Sequence, residues 1–431
     1  MAQSFTYQVS PMRVVFGTGT VAQLADELDR LGISRALVLA SRRQQAELGD
    51  LAALTGGRTA GLFEGAVVHT PVVVTEQAMQ LVRDLKPDGV VAIGAGAATG
   101  LSKAIALRTD LPQLIVPTSY AGSEMTPVLG ETVEGVKTTQ SSPKILPEAV
   151  IYDVNLTLSM PEKFSAISGL NAIAHAAEAL YARDGNPITS LMAEEAIAKL
   201  ASSLPEVMAR PRDLDARSDA LYGAWLCAVC LGTVGMALHH KLCHTVGALF
   251  DLPHAETHAV LLPHTIAYNT PAAPEAIGRA ARALGAADAA DGLFDLSAKL
   301  GAPRALAEIG MPEDGIAKAA ALATKNPYWN PRPVEENGIR DLLRRAWSGA
   351  RPQPGYITPR SRCARSRRDR TPRSFSAPAP GFRNPPGTGR SASRSRRSIR
   401  NCPSGSRGNS RGPARPPMSR AATAGDNCAG T

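Results

Sequence analysis

Five of the chain's eight histidines fall within twenty residues of the segment LHHKLCHTVGALFDLPHAETH: His239, His240, His244, His254 and His258. Imidazole both ligates divalent metals and exchanges protons near neutral pH, so this cluster suits metal binding or proton transfer, and spacing alone does not choose between them. His240 and His244, four residues apart, share one face of a helix, while His254 and His258 lie beyond a turn at Asp251–Pro253. A sixth histidine, His175 in GLNAIAHAAE, follows Asn171 by four residues, so a helix there presents both side chains to the same cleft. Cys227 and Cys230 form a C-x-x-C, yet they stand inside the apolar run AWLCAVCLGTVGMAL without a second pair. They read as buried helix cysteines, and with Cys243 they are too few for a disulfide framework.

A second chemical signal precedes the histidines. The strand-like run GVVAIG passes directly into GAGAATGLSKAIAL, a small-residue turn opening a helix. Backbone amides at such a turn hold a pyrophosphate, which makes Gly94, Gly96, Ala97, Ala98, Thr99 and Lys103 candidates for a dinucleotide site. The next strand, QLIVPT, opens into the polar stretch TSYAGSEMTP, with Thr118, Ser119, Ser123, Glu124 and Thr126 at a strand's C-terminal end, where ligands of open α/β sheets bind.

The elements that must position these groups divide the chain. Short β-branched runs, RVVFG, RALVLA, TAGLF, GVVAIG, QLIVPT and AVIYD, alternate with amphipathic stretches such as TVAQLADELDRLG and TEQAMQLVRDLKPDG, each with a Gly near its end. That rhythm predicts an α/β dinucleotide-binding domain over residues 1–155 with helices on both faces of a parallel sheet. From Pro161 the strand signals stop and alanine-rich helical segments take over, predicting an all-helical catalytic domain over residues 156–350 whose last helix, VEENGIRDLLRRAW, ends near Trp347. Residues 351–431 differ in kind: they contain eighteen arginines, no lysine and two acidic residues, with much Pro, Gly and Ser. Such a segment predicts disorder. Arg without Lys suits a shifted reading frame better than a nucleic-acid-binding arm.

Charge follows the same division. The whole chain carries +9, but the tail alone carries +16 and residues 1–350 carry −7, so the body offers nucleic acid and membranes no basic surface; any nucleic-acid contact is expected to be non-specific and through the tail. The N-terminus lacks an export signal and no apolar run is long enough to span a bilayer, which predicts a cytoplasmic protein.

The stretches FGTG, VVAIGAGAATGLSKAIALRTDLPQLIVPTSYAGSEMTPVLGET, SPKILPEAVIYD, SGLNAIAHAAEALYA, HHKLCHTVGALFDLPHAETHAVLLPH and NPYWNPRP resemble the iron-containing alcohol dehydrogenase family, and within it the maleylacetate reductase branch, over residues 5 to about 349. The resemblance implies a homodimer with a cleft between the two domains. It also implies hydride delivery from NADH or NADPH to the carbon–carbon double bond of an enone dicarboxylate, in the degradation of aromatic or chloroaromatic compounds. The family's metal ligands, one Asp and three His, correspond to Asn171, His175, His240 and His254. An amide in place of the anionic ligand weakens a divalent site, so no tightly bound metal is expected. His244 is then the expected acid, with His175, His240 and His254 orienting the substrate or stabilising an enolate, and Asn171, Tyr328 and Arg332 meeting the substrate. Arg332 and Lys144 are the candidates for its carboxylates. Ser41, followed by Arg42 and Arg43 where a strictly NAD-dependent member would carry an acid, is read as admitting a 2′-phosphate as well. Ala95 and Ala97 stand where the family loop more often has Gly and Ser, removing one hydroxyl contact to phosphate. A metal-dependent alcohol dehydrogenase on the same fold is the rival reading; a binding protein with a degenerate cofactor site is another.

Overall fold

Strands buried on both faces need continuous apolar runs, and the six runs read above supply them. In a computed structural model describing residues 5–8, 10, 12–325 and 328–353, they become β1 (Arg13–Gly17), β2 (Ala36–Ala40), β3 (Thr59–Phe63), β4 (Gly89–Gly94), β5 (Gln113–Pro117) and, after a hairpin, β8 (Ala149–Asp153). All pair in parallel in the order β1-β8-β5-β4-β2-β3. The four inner strands are buried along their whole length, and the edge strands β1 and β3 only partly. Successive residues serve opposite faces: Val38, Val91 and Ile93 join Leu24 and Leu28 on one side, whereas Leu37, Leu39, Val90 and Ala92 join the larger core on the other.

The crossovers are α1 (Leu24–Leu31), the short α2 (Arg42–Leu48) and α3 (Leu51–Leu54), α4 (Val72–Leu85) and α5 (Gly96–Thr109). Gly32 ends α1 in the left-handed conformation, as its place in the sequence suggested; α4 instead ends on Lys86, and the Gly89 read as its stop begins β4. One element was not anticipated: β6 (Val128–Val133) and β7 (Val136–Ser141) form an antiparallel hairpin. Its turn is Glu134–Gly135, both at positive φ, and an acidic residue followed by Gly between alternating segments is a legible hairpin signal.

No strand occurs after Asp153 among the described residues. The helical part comprises α6 (Glu162–Leu180), α7 (Pro187–Ala209), α8 (Leu214–Thr233), α9 (Leu238–Phe250), α10 (His254–Asn269), α11 (Pro274–Ala283), α12 (Ala289–Lys299), α13 (Gly315–Lys325) and α14 (Glu336–Ser348). Helix α6 is central: it is buried almost throughout and packs on α7, α8 and α10. Cys227, Cys230 and Cys243 are buried free thiols, pushed up in pKa by burial. The chain divides into Met1–Arg362 and Cys363–Thr431; the second unit, and with it nearly all of the basic tail expected to be disordered or frame-shifted, lies outside the described residues.

The approach to α6 is fixed by a buried cation. Arg217 on α8 is 0% exposed; it donates from Nε to the Pro211 carbonyl (2.8 Å), and from its terminal nitrogens to Ser165 Oγ (2.7 Å) and the Met160 carbonyl (3.1 Å). Replacing Arg217 by Met keeps the bulk but takes the donor from three acceptors, two of them in buried bonds. The expected loss is roughly 2–4 kcal/mol of folding stability. Denaturant titration checks this; a variant as stable as the wild type would mean the acceptors find other donors.

Candidate active site

The chemistry gathers in a cleft of about 460 Å³. The α/β part lines it with Val68, His69 and Thr70, with Ala95, Gly96, Ala97, Gly100 and Lys103 of the small-residue turn, with Ser119, Ala121 and Ser123, and with Val128 to Gly130 of the hairpin; the helical part contributes Phe164, Ser168, Asn171 and His254 to Glu256. A larger open depression, about 730 Å³ beside Asn186 and Arg279, includes none of the histidines.

On the α/β side, α5 starts at Ala95 with no side chain capping it, so its first amides face the cleft ready for an anion. This is the cradle a dinucleotide pyrophosphate needs. Gly94, Gly96 and Ala97 form the turn, while Ala98 and Thr99 point into the core. Thr118 and Ser119 line an adjoining pocket of about 130 Å³ with Arg43, Gln44 and Phe164. Ser41 caps α2, accepting from the Gln44 amide at 3.4 Å. Its neighbours are engaged: Arg42 pairs with Glu64 at 2.9 Å, and Arg43 donates to the Ser159 carbonyl. Lys103 reaches the cleft wall, but its ammonium donates to the carbonyls of Ser123, Thr126 and Val128 and to Thr126 Oγ1. It braces the loop after β5. Burial lowers its pKa to about 7, opposed by the charge of Glu124. Glu124 is itself raised by burial and accepts from the Tyr152 hydroxyl at 2.8 Å.

On the helical side, α6 carries Asn171, His175 and Glu178, while α9 carries His240 and His244, and the left-handed Asp251 ends α9 so that α10 begins at His254. The rings form a continuous set: His175 stacks on His240 (centroids 5.1 Å), His244 stacks on His254 (6.1 Å), and His258 lies 4.5 Å from His254 and 5.1 Å from His240. His244 and His254 are exposed; His175 and His240 are buried. One close approach requires glycine: a Cβ on Gly122, at φ +82, would stand 3.1 Å from Ala228 Cβ and 3.6 Å from His175 Cε1.

Sequence reasoning missed Glu178, although it stands seven residues after Asn171 and three after His175 on the same helical face. It is 0% exposed and receives the amides of Ala237 (3.0 Å), His239 (2.8 Å) and His240 (3.4 Å) at the start of α9, the Tyr181 hydroxyl (3.3 Å), and His240 Nδ1 at 2.7 Å. Burial alone would raise its pKa. The hydrogen bond and charge of His240, with His239 and the Ala237 amide, hold it down to about 2. An ionised Glu178 fixes the proton of His240 on Nδ1, and Nε2, buried without a partner among the described residues, is the nitrogen left for a ligand. Burial, then the neighbouring imidazoles, lower the pKa of His175 and His258 far below the usual value and that of His239 to about 3.

The remaining expected residues are placed less centrally. Arg332 donates to the Tyr268 carbonyl (3.0 Å) and lies 4.0 Å over that tyrosine's ring; Lys144 pairs with Asp110 at 3.2 Å beyond the far end of α5. Neither is among the groups lining the cleft, and nor are His175, His240, His244 and Tyr328, of which the three histidines adjoin the lining residue His254 through the ring set described above. Tyr328 packs under Lys241, with a buried hydroxyl raised in pKa first by burial and then by Glu178.

The donor set was tested for a metal. Asn171 offers a neutral amide oxygen, and His175, His240 and His254 do not bring their nitrogens within 4.8 Å of one another; among the described residues the only three His, Cys, Asp or Glu that do are His239, Cys243 and His258. Those three lie behind the cleft, where His239 Nε2 and His258 Nδ1 already bond each other at 3.0 Å and the Cys243 thiol is held protonated by burial. As placed, Asn171, His175, His240 and His254 form no closed three-ligand group, and Asn171 supplies no anionic ligand.

Comparison with known proteins gives the same outline. Residues 11–154 match the model described as iron-containing alcohol dehydrogenase, and residues 165–347 the Fe-containing alcohol dehydrogenase family, C-terminal. The chain is similar to the maleylacetate reductase of Sphingobium indicum, 56% identical over 348 residues, covering 81% of this chain and 99% of that one. Crystal structures of maleylacetate reductases from Rhizobium sp. strain MTP-10005 and Agrobacterium tumefaciens each share 56% identity and a TM-score of 0.79, covering 81% of this chain and 100% of theirs.

Glu178→Gln tests the clamp. Because the folded pKa is depressed, the carboxylate's stabilisation is fully present above about 4.5 and is lost as pH falls toward about 2. The variant is therefore expected to be less stable than wild type at pH 7, with the gap closing below pH ~4.5. A gap independent of pH in denaturant titrations would contradict this.

Proposed function

The chain belongs to the iron-containing alcohol dehydrogenase family, and within it we infer that it is an NAD(P)H-dependent oxidoreductase that reduces the carbon–carbon double bond of maleylacetate, giving 3-oxoadipate. The observation that carries this reading is 56% identity to maleylacetate reductases across nearly their whole length, joined to a cleft in which a phosphate-cradling turn faces Asn171 and His254. A reductase of this kind serves the breakdown of aromatic rings, and on this reading the working unit is a cytoplasmic homodimer. Among the described residues no single helix is long and apolar enough to cross a membrane.

NADH or NADPH, held by the turn Gly94–Ala97 with Thr118, Ser119 and Ser123, supplies the hydride when bound. The Ser41–Arg42–Arg43 sequence carries no acid that would exclude a 2′-phosphate, so both cofactors are proposed to serve. Hydride arriving at the carbon β to the ketone turns the ketone oxygen into an enolate, which needs a donor. His240, its Nδ1 proton committed to Glu178, is the group whose Nε2 is left to meet that oxygen, donating to it in the doubly protonated form. The α carbon must then receive a proton. His244 is exposed and close to His240 (6.3 Å between centroids), so it can deliver that proton and recover another from solvent. His175 and His254 complete the wall around the oxygen, with Asn171 as a neutral partner for the substrate. No step here requires a Lewis acid, and with Asn171 in place of a carboxylate we propose turnover without a resident metal, although the family's description names iron.

The decisive assay follows nicotinamide absorbance with maleylacetate before and after exhaustive treatment with a chelator; full retention of rate is expected. Loss of activity restored by iron or zinc, together with oxidation of simple alcohols, would favour the metal-dependent dehydrogenase. In the same assay His244→Gln is expected to lower kcat by roughly 10²–10⁴ while leaving the KM for NADH nearly unchanged. A variant with wild-type kcat would remove His244 from the role of acid.

A further inference from the structure

A single exposed apolar side chain on a convex surface means little, whereas one that lines a cleft faces whatever the cleft binds. Helix α6 is buried almost throughout from Ser165 onward, yet Phe164 in its first turn is 45% exposed. Among the described residues lining the cleft and the small pocket beside it, Phe164 is the one phenylalanine, tyrosine or tryptophan. It lines both cavities, and so do Ala95 and Ser119 of the α/β wall, so its ring stands at the passage between them.

The backbone that carries this ring is fixed from two sides. The Ser159 carbonyl accepts from Arg43 of α2, while the Met160 carbonyl (3.1 Å) and Ser165 Oγ (2.7 Å) accept from Arg217 of α8. The two arginines meet the chain at consecutive residues, so the approach to α6 cannot shift without losing one of them. Beyond Phe164, Ser168 and Asn171 follow at spacings of four and three along one helical face and also line the cleft, leading toward His175. A dinucleotide laid along this face has its order fixed. Its nicotinamide lies at the histidine end, where hydride is used, and its adenosine on the side of Gln44 and Thr118. Its diphosphate then lies between them, at the uncapped start of α5 beside Ala95. Phe164 faces that point.

We propose that Phe164 covers the diphosphate of the bound cofactor: its ring closes from α6 opposite the α5 amides and keeps water and counterions from the anion they hold. Amide–phosphate hydrogen bonds strengthen in apolar surroundings, and charges shielded from solvent are screened little by salt. The proposal takes from the function argued above only that the cofactor is a nicotinamide dinucleotide. Its experiment measures binding without turnover. NADH is followed by fluorescence, and ADP-ribose and adenosine by displacement of NADH, for wild type, Phe164→Ala and Phe164→Leu, each at low and at about 0.5 M salt.

For Phe164→Ala the Kd of NADH and that of ADP-ribose are expected to rise together, roughly tenfold, while that of adenosine stays within about a factor of two of wild type. The rise should steepen with salt, because the uncovered anion is screened. Phe164→Leu, still apolar, should recover much of the loss. An unchanged NADH affinity overturns the assignment. So does a loss shared by adenosine, which puts the ring on the adenine, or one absent from ADP-ribose, which puts it on the nicotinamide. Equal salt dependence in wild type and Phe164→Ala overturns it as well. Wild type that binds NADH but does not reduce maleylacetate removes the functional reading and leaves this inference standing; wild type that binds no NADH removes both.

Discussion

The active half of the molecule hangs on one buried carboxylate. Glu178 leaves water only because five donors replace it, and three of them are the otherwise unpaired amides at the start of α9. It therefore caps that helix from another helix, attracted also by the helix dipole. The consequence is geometric: the rotation of α9 about its axis, and thus the direction of His240 and His244, is set by a residue of α6. Since α6 also carries Asn171 and His175, one side chain registers the two helices whose imidazoles must meet. The same bond sets the tautomer of His240, so structure and reactivity depend on a single interaction.

The opposite wall is built by different means. There the sheet presents strand ends, and the groups that would touch a cofactor are mainly backbone: a small-residue turn, an uncapped helix start and hydroxyls after β5. Polar side chains in this wall act as struts. Lys103 spans from α5 to the loop Ser123–Val128, and Glu124 and Tyr152 bond each other beneath it. Such buried polar groups hold a loop in one conformation only if all are satisfied. That rigidity allows the hairpin β6–β7 to reach over and hold the His69 carbonyl through the Thr132 hydroxyl.

How much of this was legible follows from what each signal encodes. All six strands of the parallel sheet could be read because a strand buried on both faces must be apolar throughout, as GVVAIG and AVIYD are. The turn before His254 was equally plain, since Asp251 and Pro253 punctuate the pattern. The hairpin VLGETVEGVKTTQS was missed because its polar, half-exposed alternation lies between stretches chosen for their chemistry. Glu178 was overlooked for a related reason. A lone acid in an alanine-rich helix reads as a solvated face, and only tertiary packing shows that it points at another helix's first turn. Arg332 and Lys144 illustrate the converse: sequence can nominate a cation for a carboxylate, but Tyr268 and Asp110 decide where each goes.

The amide at position 171 becomes intelligible once charge is counted across the cleft. Glu178 is already held ionised on the same face of α6, seven residues further on. A second carboxylate at 171 would be tolerable beside a bound cation, which would neutralise it. Without the cation it would face a substrate that brings two negative charges and develops a third on its ketone oxygen, and in a partly desolvated cleft like charges repel over many ångströms. An amide avoids that repulsion and can still accept or donate a hydrogen bond. On the metal-free turnover proposed above, the residue that weakens a metal site is the one that suits an anionic enone: losing the anionic ligand and accepting a dianionic substrate answer the same electrostatic requirement.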